Sequence, residues 1–547
     1  MGNNHILNNL SQAQREICMH DKGFALVLAG PGSGKTTVTV SRICRLAKLY
    51  KHPERILCQT FTVAAAQEMK NRFIKKAGNK TLPHFSTIHS FCYNIIKEQE
   101  KITGVRHVVL TENVSKKILR NIYMQVNNQQ AEDIISLDLL SAISRNRHKT
   151  GAASSQIKNF HIIEEKYAEY KAENNYVDYD DMIFTGKEIL ENNNELRKTI
   201  CMKYDYVLLD EAQDMTEIQF DIIRLIAPHN NIFVVADDDQ SIYGFRGAAP
   251  KHLMDFVDKY HNVQRYYLER NYRSCKKIVN LACEVIKKNK ERYEKRLFTE
   301  NKQKGKVEIL FFKDSIEQAE YVCSNANKQK GTCGILYRNN SSSLLIKSYL
   351  ILNKISFIGS DNSIKTNQIH LVNKYVEQLR QVQRTSGFII PNPKRAFQII
   401  TKNGFDKYAQ EYCEKTGQMK RYKNQILSFL QYLSRTCSSL EEIIKLLEAI
   451  DMEKEPVETS LYLSTIHGSK GLEYDNVYLI DMIQDEFPGQ NVVLPGQIEE
   501  ERRLFYVAIT RAKNNLTICY PQNRFNIPQT PSLFVEECRA IGSRFAL

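Results

Sequence analysis

The chain has 547 residues, which is too long for one hydrophobic core and predicts about three or four domains. Its 42% hydrophobic and 25% charged content is ordinary for a globular protein and excludes fibrous and disordered classes. A formal net charge of +14 favours a polyanionic partner, most often nucleic acid.

From the N-terminus, the first residues contain no apolar run long enough for a signal peptide. No later stretch approaches the roughly 20 apolar residues of a membrane span. Gly2 is not followed by the Ser or Thr expected for myristoylation. The 13 cysteines include no CxxC pair and no His/Cys ladder, so free thiols in a reducing cytoplasm are expected, without zinc or iron–sulfur clusters.

Short apolar runs then alternate with helical patterns. Phe24–Gly30, Ile56–Phe61, Tyr206–Asp210 and Asn231–Asp237 read as buried strands. A second group follows at Lys306–Phe312, Gly334–Arg338, Leu461–Gly468 and Asn476–Met482. Two such groups predict an α/β protein with two parallel sheets flanked by helices. Two stretches break the alternation. Ser90 to Leu190 lacks strand-like runs and reads as helices, and Ser363 to Glu455 shows helix-period apolar spacing.

The stretch AGPGSGKTT directly follows the first strand and precedes a helical pattern. Ala29, Gly30, Pro31, Gly32, Ser33 and Gly34 are small or turn-forming residues. They let the backbone curl until its N–H groups point at phosphate oxygens. Lys35 then reaches the β- and γ-phosphates, the Thr36 hydroxyl holds Mg²⁺, and Thr37 completes the loop. Ala29 stands where the general pattern has Gly. Downstream, YVLLDEAQD ends a strand in carboxylates. Asp210 is expected to bind Mg²⁺ through water, and Glu211 to polarise the attacking water.

Ten motifs in order carry a family resemblance: LSQAQRE, AGPGSGKTT, TFTVAAAQEM, STIHSFC, VDYDDM, DEAQD, DDDQSIYGFRGA, LERNYRS, STIHGSKGLEYDNV and EEERRLFYVAITRAK. Over nearly its whole length the chain resembles superfamily 1 helicases of the UvrD/PcrA/Rep type. The resemblance implies two RecA-like P-loop NTPase domains, each carrying a mainly helical insertion. The first core (1A) is expected at 1–89 and 191–265, with insertion 1B at 90–190. The second core (2A) is expected at 266–362 and 456–547, with a reduced insertion 2B at 363–455. The implied activity is ATP- and Mg²⁺-dependent 3′ to 5′ translocation on single-stranded DNA and unwinding of tailed duplexes. Two other readings remain open at this point. One is a motor subunit of a DNA repair or antiphage-defence complex that regulates a partner nuclease or repair protein, and the other is a nucleotide-gated strand-binding module with little turnover.

The resemblance also implies residue roles. Gln14 reads the adenine edge, Tyr272 stacks on adenine, and Arg42 covers its other face. Gln240 senses the γ-phosphate, Arg273 and Arg511 reach the phosphates from the second core, and Glu473 contacts the ribose. Tyr243, Phe245 and Arg246 lie along the base path, with Phe61 either stacking a base or packing in the core. Thr60, Thr62, Thr87, His89, Thr465 and His467 are expected at phosphate and sugar. The chain departs from the family in three places. Phe245 replaces the more frequent Trp, Val63-Ala64 replaces Asn-Lys, and insertion 2B is short, so weaker grip and poorer unwinding are expected.

Overall fold

A computed structural model describes residues 7–78, 81–128, 133–148, 157–227, 231–359, 369–385, 392–415, 420–452, 458–490 and 492–545. The expected ends of the second helical insertion, 363–368 and 453–455, lie outside the described residues, as do residues 389–391. The chain forms two compact units. One runs up to Asn271 and takes in Glu291–Leu297, and the other holds Tyr272–Lys290 and the residues from Phe298 onward.

The first unit is built on β1 (Ala25–Ala29), β2 (Ile56–Thr60), β3 (His84–Thr87), β4 (Tyr206–Leu209), β5 (Ile232–Ala236) and β6 (Gln264–Leu268). These pair in parallel in the order β3-β2-β4-β5-β1-β6. Alternate residues serve opposite faces, as strand geometry requires. Leu26, Leu28, Leu57, Val207, Leu209 and Val234 join one core cluster. Ala25, Val27, Ile56, Cys58, Leu208 and Val235 join another. A strand buried on both faces has to be apolar throughout, which is why these runs are continuous.

The 90–190 stretch divides in two. Helices Ile88–Thr103 and Tyr179–Asn192 carry Phe91, Cys92, Ile95, Ile183 and Leu190 into the core beneath the sheet. Helices Glu112–Asn127, Asp133–Arg147 and Phe160–Glu173 form a separate core around Leu119, Ile143, Ile163 and Tyr167. The stretch is mainly helical, with Val108–Val109 and Tyr176–Val177 adding a short parallel ladder that the sequence did not reveal. Two-residue strands leave no periodic signal. The expected division after residue 265 falls inside β6, which completes the edge of the first sheet beside β1.

The second unit contains β7 (Lys306–Phe312), β8 (Cys333–Tyr337), β9 (Ile358–Gly359), β10 (Leu461–Thr465), β11 (Tyr474–Leu479) and β12 (Ala512–Pro521). They are parallel, in the order β7-β12-β11-β8-β10-β9. Helices within 370–451 share one apolar core with Leu344 of the Ser343–Leu352 helix. Gln425 Nε2 ties this bundle to Ser342 Oγ and Glu486 Oε2, each at 3.0 Å. Among the described residues, no helix is long and apolar enough to cross a membrane.

Candidate nucleotide and nucleic-acid site

Strand order places β5 between β4 and β1, so the loops following all three meet at one end of the sheet. That crevice, beyond the carboxyl ends of parallel strands, is where α/β proteins hold ligands. The loop after β1 curls tightly. Ser33 Oγ donates to Gly30 O at 2.7 Å, and Asn271 Nδ2 donates to Pro31 O at 2.7 Å. Gly34 caps the Lys35–Tyr50 helix at φ +87°, a conformation that strongly favours glycine. Gln14 leans on this loop from the preceding helix. Its Nε2 donates to Ser33 O at 3.1 Å while Oε1 accepts from Ser11 N at 3.0 Å. One amide hydrogen and one oxygen lone pair remain, the pair a purine edge requires.

Lys35 Nζ lies 3.5 Å from Glu211 Oε1 and 3.9 Å from Asp237 Oδ2. Glu211 sits in left-handed backbone at φ +53°, an uncommon state for a non-glycine residue and one that marks a constrained position. Beside it, Asp210 is buried and its Oδ1 has no hydrogen-bond partner. Burial and the neighbouring Glu211 charge push Asp210 up to about 7, with Lys35 opposing. A buried, unpartnered carboxylate oxygen after β4, with the Thr36 hydroxyl in the first turn of the helix after β1, is a hard-oxygen donor set that fits Mg²⁺.

Gln240 Nε2 donates to Asp237 Oδ2 at 2.7 Å. Gln213, fully buried, donates to Glu211 Oε2 at 2.5 Å and accepts from Asp237 N at 2.9 Å. The turn after Gln240 carries an aromatic row. Phe61 stacks on Tyr243 with centroids 4.7 Å apart and planes 21° apart, and Phe245 meets Tyr243 edge-on at 5.9 Å. Phe245 is 47% exposed, and Arg246 lies over both rings at 5.6 Å. Gly247 ends this turn at φ +87°, where a Cβ would come within 3.0 Å of His148.

In the second unit Tyr272 is 45% exposed. Arg273 Nε donates to Glu473 Oε2 at 2.7 Å, and Lys513 Nζ reaches Glu473 Oε1 at 2.9 Å. Burial raises Glu473, but the Lys513 hydrogen bond and the Arg273 charge outweigh it and hold the carboxyl below its ordinary value. Arg511 is buried, donating to Val507 O and Leu472 O at 3.0 Å and to Thr510 Oγ1 at 3.2 Å.

Residues 10–261 match the UvrD/REP helicase N-terminal domain. Residues 266–365 and 361–523 match the UvrD-like helicase C-terminal domain. The chain belongs to the UvrD/PcrA/Rep helicase family. The ATP-dependent DNA helicase PcrA of Staphylococcus aureus is 27% identical over 632 aligned positions, covering 98% of this chain and 87% of the relative. The Staphylococcus epidermidis PcrA is 26% identical with the same coverage.

Within this UvrD-family chain, several expected strand contacts already have local duties. Thr62 Oγ1 caps the Val63–Ala77 helix by accepting from Ala65 N, and Thr87 Oγ1 caps the next by accepting from Ser90 N. Thr60 Oγ1 donates to Thr62 O, and Thr465 Oγ1 accepts from Gly468 N. A capping hydroxyl accepts at the cap and retains a hydrogen to donate, which at Thr87 is shared with Ser90 Oγ at 3.0 Å. His89 packs edge-on against Tyr179, and burial lowers its pKa. His467 is half-buried in the turn after β10. Arg42 differs most from expectation. Its guanidinium is buried over the Phe233 ring and donates to His20 O and Asp21 O. Burial lowers it to about 10.

Two groups escaped sequence reasoning. Gln213 lies inside a recognised motif, but nothing local shows that it bridges Glu211 to Asp237. Lys295 is buried against Asp237, Asp238 and Asp239 at 2.7–2.9 Å. Those three acids are close enough together to suggest a metal site, and the Lys295 ammonium fills it. The three carboxylates raise Lys295 against the effect of burial. Breaking a buried ion pair of this kind costs roughly 3–5 kcal/mol.

Proposed function

We propose that this chain is an ATP-dependent DNA helicase that moves 3′ to 5′ along single-stranded DNA. The observation that carries this reading is the convergence of Lys35, Glu211 and Gln240 around Asp237, on the same turn that holds the aromatic row. Family membership and the activity named for the Staphylococcus relatives support it. The polarity follows the family resemblance.

ATP binds in the loop Ala29–Thr37, with Gln14 and Tyr272 at the base and Glu473 at the ribose. Thr36 and Asp210 would hold Mg²⁺, which supplies charge neutralisation at the phosphates. Lys35 pairs the β- and γ-phosphate oxygens. Glu211 orients and polarises the attacking water, and Gln240 senses whether the terminal phosphate is present. Arg273 and Arg511, carried by the other unit, stabilise charge on the transferring group when the units close on ATP. Such arginines are worth roughly 10³–10⁵ in rate where measured. Phe61, Tyr243 and Phe245 supply sequence-tolerant faces for bases. The helices within 90–190 and 363–455 serve as insertions 1B and 2B on cores 1A and 2A, and the short 2B limits unaided unwinding.

The test is unwinding of duplexes bearing 3′ or 5′ single-stranded tails by the purified chain, with Lys35→Ala as control. ATP-dependent unwinding of the 3′-tailed duplex alone is expected. Unwinding from 5′ tails overturns the polarity, and full activity in Lys35→Ala overturns the nucleotide site.

A further inference from the structure

The segment Glu291–Leu297 is a strap laid across the first unit. It is entered from Lys290 and left at Phe298, both of which belong to the second unit's fold. Lys295 Nζ lies 2.8 Å from Asp237 Oδ1, 2.7 Å from Asp238 Oδ1 and 2.9 Å from Asp239 Oδ2, and all four side chains are 0% exposed. Arg292 donates from Nε and Nη2 to the two oxygens of Asp239 at 2.8 Å, and Tyr293 N donates to Asp238 Oδ2 at 2.7 Å. At its far end Leu297 presses on the phosphate loop, since a Cβ on Gly30 would lie 2.3 Å from Leu297 Cδ2.

The carboxylate of Asp237 therefore has two sides. Oδ1 is held by Lys295, while Oδ2 receives Gln240 Nε2 at 2.7 Å and faces Lys35 at 3.9 Å. Asp238 and Asp239 begin the 3₁₀ turn Asp238–Gln240, and the chain continues through Ser241 and Ile242 to Tyr243 and Phe245. Three carboxylates at this spacing repel one another unless a cation sits among them. Arg292 and Tyr293 N each reach one of these acids, whereas the Lys295 ammonium bonds all three and so ties the position of Gln240 to the direction of the aromatic turn.

We propose that Lys295 is a positioning residue for ATP hydrolysis, holding Gln240 at the phosphate end through Asp237 and fixing the turn into Tyr243 and Phe245 through Asp238 and Asp239. This rests on the ATP-driven motor reading above. The strap makes the γ-phosphate sensor and the aromatic row one rigid piece. Without it, nucleotide still binds, because the loop Ala29–Thr37 is shaped by Ser33, Asn271 and Gln14, whereas Lys295 pairs with Asp237, Asp238 and Asp239. What is lost is the link from nucleotide to aromatic row.

The chain has no tryptophan, so Phe245→Trp places in the row a single tryptophan that can be excited apart from the tyrosines. In that background the full-length protein is examined with and without Lys295→Met. The readings are emission on adding Mg²⁺ and a non-hydrolysable ATP analogue, affinity for a fluorescent ATP analogue, and DNA-stimulated phosphate release. The expected result is affinity and KM within about threefold, kcat down by at least about tenfold, and loss of the nucleotide-induced emission change. Lys295→Arg, which keeps the cation, recovers part of both losses. An unchanged kcat or an unchanged emission response in Lys295→Met overturns the proposal.

Because Lys295→Met leaves buried acids uncompensated, Lys295→Met with Asp238→Asn is measured beside it. A cooperatively melting double variant that behaves like its parent also overturns the role. Failure of both variants to fold would make Lys295 a stability residue and overturn it too. If the parent shows no DNA-stimulated phosphate release, the motor reading itself falls, and this role falls with it.

Discussion

Gln213 holds Glu211: its Nε2 donates to Glu211 Oε2 at 2.5 Å, and its Oε1 accepts from Asp237 N at 2.9 Å. One buried amide thus joins the Glu211 carboxylate, the proposed water-polarising group, to the strand end that carries Gln240. Gln213→Leu removes that link while keeping volume. Small displacements of catalytic groups cost about a hundredfold, so kcat for ATP is expected to fall roughly tenfold to a hundredfold with nucleotide affinity within about threefold. Glu211→Gln is expected to bind ATP and not hydrolyse it. Phosphate release and fluorescent-nucleotide titration check both, and normal turnover in Gln213→Leu would make that residue a packing group.

Phe61 and Tyr243 already stack on each other, while Phe245 stands 47% exposed at the end of the row. The open ring has the larger face to offer an incoming base. Phe245→Ala is expected to weaken single-strand binding by roughly 1–3 kcal/mol, with a smaller effect from Phe61→Ala. Anisotropy with a labelled oligothymidylate at one fixed salt concentration measures this. Equal losses in the two variants would mean that both rings take bases.

Arg42 separates a structural role from a nucleotide contact. Its guanidinium serves the His20 and Asp21 carbonyls and the Phe233 ring. Arg42→Met would leave two carbonyls without their donor, at a cost of about 2–3 kcal/mol in folding stability. The KM for ATP of the folded variant should stay within about threefold. A melting temperature like the parent's with a tenfold loss of ATP affinity would instead place Arg42 at the adenine.

Lys347 is buried on the Ser343–Leu352 helix, and burial lowers it to about 8, with Asp451 opposing. Between about pH 8 and its ordinary value of 10.5, the unfolded chain keeps a proton that the folded Lys347 has released. Stability of the second unit should therefore rise with pH across that window and lie at its lower level below it. Lys347→Met removes the buried ammonium and is expected to stabilise by about 1–3 kcal/mol at neutral pH, with a flatter profile. Urea unfolding from pH 7 to 10 tests this, and a destabilised Lys347→Met would show that the ammonium has a partner worth more than its burial costs.

Strands buried on both faces stand out most clearly in the sequence, and the edge strand β7 is legible as well because Lys306–Phe312 is mostly apolar although partly exposed. β1, β2, β4 and β5 have no exposed residue, and their apolar runs stand out. β3, β6 and β9 lie at sheet edges, where one side meets solvent or a loop, and their mixed residues do not form a run. β12 pairs on both sides, but its first half is polar and it follows the Pro495–Thr510 helix directly, so it escaped. The candidate nucleotide residues could be named from the sequence because a phosphate loop requires small residues and a lysine at fixed local spacing. Gln213 was not, because its partners come from two different strand ends.

By itself the sequence determined the two-sheet α/β class, the Gly-rich turn after β1 and the paired acids after β4, since each is written in neighbouring residues. Only the tertiary structure decided which cation in the run from Lys287 to Arg296 is buried. Lys287 and Lys288 keep side chains 61% and 45% exposed, while Lys295 is closed in by three aspartates more than fifty residues earlier. A charge-rich run reads as a solvated surface until distant carboxylates remove the water, and no local pattern records where those carboxylates will be.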